Sequence, residues 1–246
     1  MASPSHNPVL ARAGFDTQVQ AAGPTMTLAG TMRKTFLLLG IVAVGMVYAW
    51  AGLPPLGLSD TVVYPLLIGS FVVGVVLLLA TSFRPEYASI TGPVYAAMQG
   101  VVLGIVTLLL DARFPGLPLQ AAALTVATMG VMLVAYRTGL IKVTERLRSI
   151  VVSCTAAIFV FYIIAFGMSL FGLYIPFLHE GGVIGIGFSL FVTGLAAFNL
   201  LLDFDAIEQG IGRAPEEMEW FAAFGLVVTL IWLYMEILRL LRKLRG

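Results

Sequence analysis

Seven apolar runs determine what this chain can fold into, because each is about as long as the roughly 20 residues that a helix needs to cross a bilayer. Apolar residues are continuous within these runs and do not alternate with polar ones. Only helices and closed barrels cross a bilayer, and a barrel needs short alternating segments. The sequence therefore predicts an all-α integral membrane protein with seven transmembrane helices.

The predicted spans are separated by stretches that contain proline, glycine or charged residues. They are Thr35–Gly52, Tyr64–Phe83, Pro93–Leu110, Leu119–Tyr136, Ile150–Leu173, Gly182–Leu202 and Met218–Leu241. The segment Met1–Met32 is rich in Ala, Pro, Ser, Thr and Gly, a composition typical of a disordered polar tail. We therefore divide the chain into a tail, residues 1–32, and a seven-helix transmembrane domain, residues 33–246.

Composition argues against several classes of protein. Hydrophobic residues make up 59% of the chain and charged residues 11%, against roughly 45–50% and about 25% in a soluble domain. The net charge of +1 gives no basic surface for nucleic acid. Cys154 is the single cysteine, and both histidines, His6 and His179, lie outside the predicted spans. Intramembrane serine proteases and zinc enzymes need such groups inside the membrane, so we predict no enzymatic activity and no cofactor.

Basic residues predict the orientation of the helices. The tail and the loops after spans two, four and six hold nine of them, Arg12, Arg33, Lys34, Arg84, Arg137, Lys142, Arg146, Arg148 and Arg213. The loops after spans one, three and five hold only Arg113. Because cytoplasmic loops are enriched in Lys and Arg, the N-terminus is predicted to be cytoplasmic. Four further basic residues, Arg239, Arg242, Lys243 and Arg245, follow the last apolar run. They lie outside if that run crosses fully, and inside if it is re-entrant; its length favours a full crossing.

Small residues also form a pattern, in which Gly100 and Gly104 are one helical turn apart. Such pairs let two membrane helices approach closely. Close helix packing is the favoured interpretation, and a thin wall beside a pore is the alternative.

Acidic residues near the last two runs are the candidates for function. Asp203, Asp205 and Glu208 follow the apolar part of the sixth run, and Glu236 lies inside the seventh. Acids within membrane helices are costly and usually face protein, water or a partner. Asn199 and Asp203 are four residues apart and share a helix face, whereas Asp205 points roughly the opposite way. We therefore expect Asp203 to face protein and Asp205 to face headgroups and water.

Several short stretches, in order along the chain, resemble the Bax inhibitor 1 family of membrane proteins, in particular its bacterial YccA-like branch. The stretches are Met26-Thr27 with Arg33-Lys34-Thr35, Pro93-Val-Tyr95 with Gln99-Gly100 and Gly104, Tyr136-Arg-Thr138 with Lys142, Asp203 with Ile207, and Leu233-Tyr234-Met-Glu236. Gln99 stands where many members have Glu. The resemblance covers about residues 26–244 and implies seven helices with a central last helix, in a bacterial inner membrane.

The resemblance also implies a function, because studied members of the family are described as pH-sensitive calcium leak channels. In them, one aspartate from helix six and one from helix seven share a proton and gate the pore. Asp203 matches the first of these acids and would bind calcium transiently. For the second, the Leu-Tyr-x-acid motif selects Glu236, whereas the distance from the terminal Leu-Arg-Leu-Leu selects Thr229. Glu236 can instead pair with Arg239, about one turn further on.

The chemistry of such a gate is simple. Hard divalent cations prefer oxygen ligands, and two neighbouring carboxyl groups titrate as one unit. Loss of the proton would add repulsion and loosen the helix contact. The alternative function is a regulatory membrane protein without a pore, since some bacterial relatives resemble modulators of a membrane protease. The expected partners are thus the lipid bilayer, calcium or other cations, and in the alternative a membrane protease.

Overall fold

The computed structural model describes residues 23–52, 60–172 and 182–246. In these ranges the chain forms seven long helices and one short 3-10 helix, Pro85–Tyr87. The long helices are α1 (Leu28–Gly52), α2 (Asp60–Phe83), α3 (Ala88–Asp111), α4 (Leu117–Arg137), α5 (Glu145–Leu170), α6 (Val183–Gly210) and α7 (Met218–Arg245). Each contains a stretch that is long and apolar enough to cross a membrane. The predicted all-α fold with seven transmembrane helices is therefore confirmed.

Several helices extend beyond the predicted spans into polar sequence. Helix α5 begins at Glu145, because the Thr144 side chain accepts a hydrogen bond from the Leu147 amide at 3.2 Å and so caps the first turn. Helix α6 continues past Leu202 to Gly210. Hydropathy marks the part of a helix that lies in hydrocarbon, whereas helix ends are set by capping and by tertiary contacts.

Helix α7 lies at the centre of the bundle. Its best membrane-length stretch is 61% buried, against at most 44% for any other helix that the structure describes. It packs against α1, α3, α4 and α6. Its buried apolar residues, among them Val227, Leu233 and Ile237, belong to the main hydrophobic core. A polar side chain on α7 is therefore more often enclosed by protein than by lipid.

Helix α3 packs against α1 through its glycines. A Cβ atom on Gly100 would lie 2.5 Å from the carbonyl oxygen of Val42, and one on Gly104 would lie 2.5 Å from that of Met46. Atoms this close overlap, so both positions require glycine. The close-packing interpretation of the Gly100–Gly104 pair is thus confirmed.

Residues 23–27 form an N-terminal strap across the loop between α6 and α7. Met26 donates its amide to the Ala214 carbonyl at 2.8 Å and accepts from the Gly212 amide at 2.9 Å. The Met26 side chain is buried. Helix α1 then begins at Leu28 and not at Thr35. The predicted tail is therefore ordered from residue 23 onwards, because backbone pairing with the loop holds it in place; residues 1–22 lie outside the described residues.

The two ends of α7 lie at opposite ends of the bundle. Its first turn lies beside the strap, where Thr27 contacts Glu219. At its last turn, Arg245 donates to the Pro115 carbonyl, in the loop between α3 and α4, and to the Gln120 side chain. Helix α7 therefore crosses the bundle completely, and the re-entrant alternative is wrong. The basic residues that end α7 are on the same side as Arg113, and the N-terminal strap is on the other.

Candidate functional site

Three polar side chains of α7 occur at intervals of seven residues: Thr229, Glu236 and Lys243. Seven residues are close to two helical turns, so the three lie on one face of the helix. All three are buried, and two of them, Glu236 and Lys243, are ionisable groups of a kind that is rare inside membrane helices. Helix α6 packs antiparallel beside α7 and carries Asp203, so the contact between the two helices, the α6–α7 interface, is the candidate functional site.

Asp203 is the acid with the fewest interactions in this interface. The residue as a whole is half-buried, but its Oδ2 atom is screened from solvent and has no hydrogen-bond partner. The polar group that its carboxyl contacts is the hydroxyl of Thr229. Within the described residues, no Lys, Arg or His lies within ion-pairing distance of it. A charge on Asp203 would therefore be poorly compensated.

The Thr229 hydroxyl can act as an acceptor toward Asp203. It donates its only proton to the Gly225 carbonyl, one turn earlier, at 3.2 Å. Its lone pairs stay available to a donor. Because a hydroxyl hydrogen can rotate, Thr229 can accept from a protonated Asp203 or donate to an ionised one.

Glu236 has a different set of partners. Its Oε1 atom accepts hydrogen bonds from Tyr162 at 3.0 Å and from Trp232 at 3.2 Å. The Arg239 Nη1 atom lies 2.9 Å from Oε1 and 2.8 Å from Oε2. Glu236 is only 1% exposed. This carboxylate is therefore fully satisfied, as a buried ion pair must be.

Asp203 and Glu236 do not meet. Asp203 contacts Thr229, and Glu236 is seven residues further along α7, about 10 Å at 1.5 Å per residue. The structure therefore brings a carboxyl and a hydroxyl together at the place where the resemblance implies two carboxyl groups. Of the two positions that matched the second acid, the structure brings Thr229 to Asp203, and Glu236 pairs with Arg239.

Asp205 does not face water as expected. Its Oδ2 atom accepts from Arg148 of α5 at 2.5 Å and from Gln209 at 2.6 Å, and Tyr136 of α4 lies 3.4 Å from Oδ1. The Asp205 side chain is 15% exposed. The expectation was wrong because Arg148, at the start of α5, compensates the charge within the protein. Glu208, which is exposed, accepts from the same Tyr136 hydroxyl at 2.5 Å.

Asn199 contacts α5. Its amide donates to the Thr155 hydroxyl at 2.8 Å and to the Leu195 carbonyl at 2.9 Å. Asn199 therefore links α6 to α5 one turn away from Asp203. In the described part of the chain, no three His, Cys, Asp or Glu residues cluster as a metal site would require. A cation at Asp203 would accordingly have to be held by few protein ligands.

A second buried ion pair was missed from the sequence. Lys34 of α1 donates to Glu219 of α7 at 2.7 Å, and Thr27 donates to the same carboxylate through both its amide and its hydroxyl, each at 2.8 Å. A Cβ atom on Gly30 would lie 2.1 Å from Glu219 Oε2, so this glycine makes room for the carboxylate. The sequence offered one sign of this ion pair, because the predicted spans place a basic residue, Lys34, and an acidic residue, Glu219, at the same end of the bundle.

A family model described as "Bax inhibitor 1 like" matches residues 7–246, nearly the whole chain. No curated protein and no solved structure shows significant similarity to the chain. The family match agrees with the seven helices and the central α7. The chain therefore belongs to the Bax inhibitor 1-like family of multi-pass membrane proteins.

Proposed function

We propose that this protein is a pH-sensitive cation leak channel, with calcium as the candidate ion, and that protonation of Asp203 closes its pathway along the α6–α7 interface. The observation that supports this most is the buried Oδ2 atom of Asp203, which has no partner. A structural acid would have its oxygens satisfied, as those of Glu236 and Glu219 are. An acid that changes its charge needs a place where the neutral form also fits.

The closed state has a neutral Asp203 that donates to Thr229. When the proton leaves, an uncompensated charge remains between two packed helices, and such burial costs several kcal/mol. Water or a cation that enters the interface lowers this cost, because carboxylate oxygens are ligands that calcium accepts. The leak is thus expected to increase as pH rises.

Calcium flux into proteoliposomes tests the proposal. The full chain is reconstituted with a calcium dye inside the vesicles, and the initial rate is measured across a pH series. We expect Asp203→Asn to leak slowly at every pH, because an amide cannot lose a proton in this range. Glu86→Gln is the matched control, since Glu86 is exposed and its ion-pair partner among the described residues is Arg84; it should behave as the parent does. Equal rates and equal pH responses in Asp203→Asn and the parent would contradict the proposal.

A regulatory membrane protein without a pore is the second candidate. The N-terminal strap favours it, because the backbone hydrogen bonds of Pro24 and Met26 with the loop between α6 and α7 build an ordered surface on that side of the bundle. A partner such as a membrane protease could contact this side. Co-purification of a protease with the full chain, together with the absence of cation flux at every pH, would support this candidate over the channel.

A further inference from the structure

Three polar side chains of α5, Arg148, Thr155 and Tyr162, occur at intervals of seven residues. Seven residues are close to two helical turns, so the three form one stripe, the polar face of α5. Each of them binds a polar side chain of α6 or α7. In order, the partners are Asp205 at 2.5 Å, Asn199 at 2.8 Å and Glu236 at 3.0 Å. The polar face of α5 is therefore turned toward the pair of helices α6 and α7.

The Asp203 carboxyl has both α5 and α7 as neighbours. It contacts the Thr229 hydroxyl of α7. Asn199, four residues earlier on α6, donates to Thr155 of α5. Four residues rotate a helix by about 40°, so at this point of α6 the direction toward α5 is close to the direction toward α7. Helix α5 thus forms the third side of the space that contains the Asp203 carboxyl.

Few buried residues attach α5 to the bundle. Its best membrane-length stretch is 17% buried, against 39% in α6 and 61% in α7. Its residues Val151 and Ile158 pack with Val192 and Leu195 of α6 in a small core that is separate from the main one, and Trp232 of α7 contacts both cores. In a bilayer, lipid replaces apolar contacts between helices at little cost, whereas hydrogen bonds between helices still hold them together. The polar face therefore contributes much of what keeps α5 docked.

The polar face of α5 also decides what fills the space when α5 moves. Arg148 and Tyr162 cannot face lipid without a large cost, because hydrocarbon offers no hydrogen-bond partners. Water must therefore follow if α5 separates from α6 and α7. The gap that opens is lined on one side by the polar face and on the other by Asp203, Asn199 and Thr229, so it is a wet path past the proposed switch.

We propose that α5 is the moving wall of the cation pathway, which runs between the polar face of α5 and the α6–α7 interface. The inference deepens the proposed function and rests on it, because it names the helix through which the proton on Asp203 acts. With Asp203 neutral, α5 stays docked. Ionisation of Asp203 favours water in the gap, since water lowers the cost of the buried charge, and the hydrated gap favours an undocked α5 that lets hydrated cations pass.

The other titratable and charged groups around this part of α6 have partners of their own in the described structure. The pairs that α5, α4, α7 and α1 contribute are Arg148 with Asp205, Tyr136 with Glu208, Arg239 with Glu236, and Lys34 with Glu219. Ionisation of Asp203 therefore adds a charge that these pairs do not compensate. This is why its proton, and not theirs, is coupled to the position of α5.

A reversible bridge between α5 and α6 tests the movement. In a Cys154→Ala chain, Thr155→Cys and Asn199→Cys are joined by a short bis-thiosulfonate reagent, and calcium flux into proteoliposomes is compared in the bridged and reduced forms of the same protein. We expect the bridge to slow the high-pH leak on the order of tenfold or more, because it removes the undocked state from the equilibrium. Reduction should restore the leak.

The control bridge joins α2 to α3. Thr81→Cys and Thr91→Cys replace two hydroxyls that are 2.7 Å apart, a contact as close as the one between Thr155 and Asn199. This bridge leaves α5 free, so the bridged and reduced forms should leak equally. An equal high-pH leak in the bridged and reduced forms of the α5–α6 variant would overturn the proposal.

A second measurement does not depend on ion conduction or on a bridge. In the Cys154→Ala chain, spin labels at the exposed positions Phe159 of α5 and Val131 of α4 report the distance between the two helices by double electron–electron resonance. We expect this distance to shift between low and high pH, and to keep its low-pH value in Asp203→Asn. The control pair, Val131 with the exposed Val44 of α1, should keep one distance throughout.

The outcomes distinguish the two proposals. A leak that depends on pH through Asp203, with a constant α4–α5 distance, would refute the moving wall and leave the channel intact. An α4–α5 distance that depends on pH through Asp203, without calcium flux in any variant, would refute the channel and support the movement of α5. A constant distance together with no flux would refute both.

Discussion

The Asp203 carboxyl of α6 lies against the Thr229 hydroxyl of α7, so that one carboxyl takes the place of the pair that the family resemblance implies. A hydroxyl carries no charge at any pH of interest. The proposed switch in this protein is therefore a single proton on a single residue.

Adding the second acid should change how the leak depends on pH. In Thr229→Asp two carboxyl groups would face each other, and neighbouring carboxylates disfavour each other's ionisation. The leak should then begin at a higher pH than in the parent, in the same calcium flux assay. Thr229→Ser keeps the hydroxyl and is the control, with a parental profile. A profile that is the same in Thr229→Asp and Thr229→Ser would show that position 229 does not act on Asp203.

Breaking the pair of Lys34 with Glu219 should destabilise the whole bundle. Lys34→Met leaves Glu219, which is 2% exposed, without its cation, and the expected loss is about 3–5 kcal/mol in the free energy of unfolding. Glu219→Gln in the Lys34→Met background should restore part of it. Denaturant unfolding in detergent measures both. Arg84→Met, which breaks an exposed pair, should cost no more than about 1 kcal/mol; a similar loss at both sites would contradict the prediction.

Helix packing makes Gly100 intolerant of even one methyl group. Gly100→Ala should lower the free energy of unfolding by about 1–3 kcal/mol, because the new Cβ would lie 2.5 Å from the Val42 carbonyl oxygen and force α1 and α3 apart. The same substitution at Gly130 of α4 is the control, since a Cβ there meets nothing within 4 Å. Thermal unfolding of the two variants in one detergent compares them. Equal stability would mean that α1 and α3 are not in close contact.

The two termini of the bundle should label from opposite sides of the membrane. In a Cys154→Ala background, Pro24→Cys and Gly246→Cys are probed separately with an impermeant thiol reagent in oriented vesicles or intact cells. The distribution of basic residues predicts that position 24 is cytoplasmic. Position 246 should react only from the outside, because α7 crosses completely. Labelling of both from one side would contradict the full crossing.

Contacts between residues close in sequence could be foreseen, and contacts between distant residues could not. Glu236 and Arg239 are three residues apart, so the helical repeat alone brings them together. Lys34 and Glu219 are 185 residues apart, and Asp205 and Arg148 are 57 apart. Neither pair follows from periodicity, because each pair depends on which helices are neighbours and on how those helices are rotated about their axes.

The sequence alone determined that this protein crosses the membrane with seven helices, because the length and continuity of apolar runs leave few alternatives in a solvent that cannot satisfy a free backbone. It also marked Asp203 as a costly acid near the C-terminal end of α6. Only the tertiary structure decided what Asp203 faces. Packing around the central α7 sets the register of α6, and that register places a hydroxyl beside Asp203 and an arginine on Glu236.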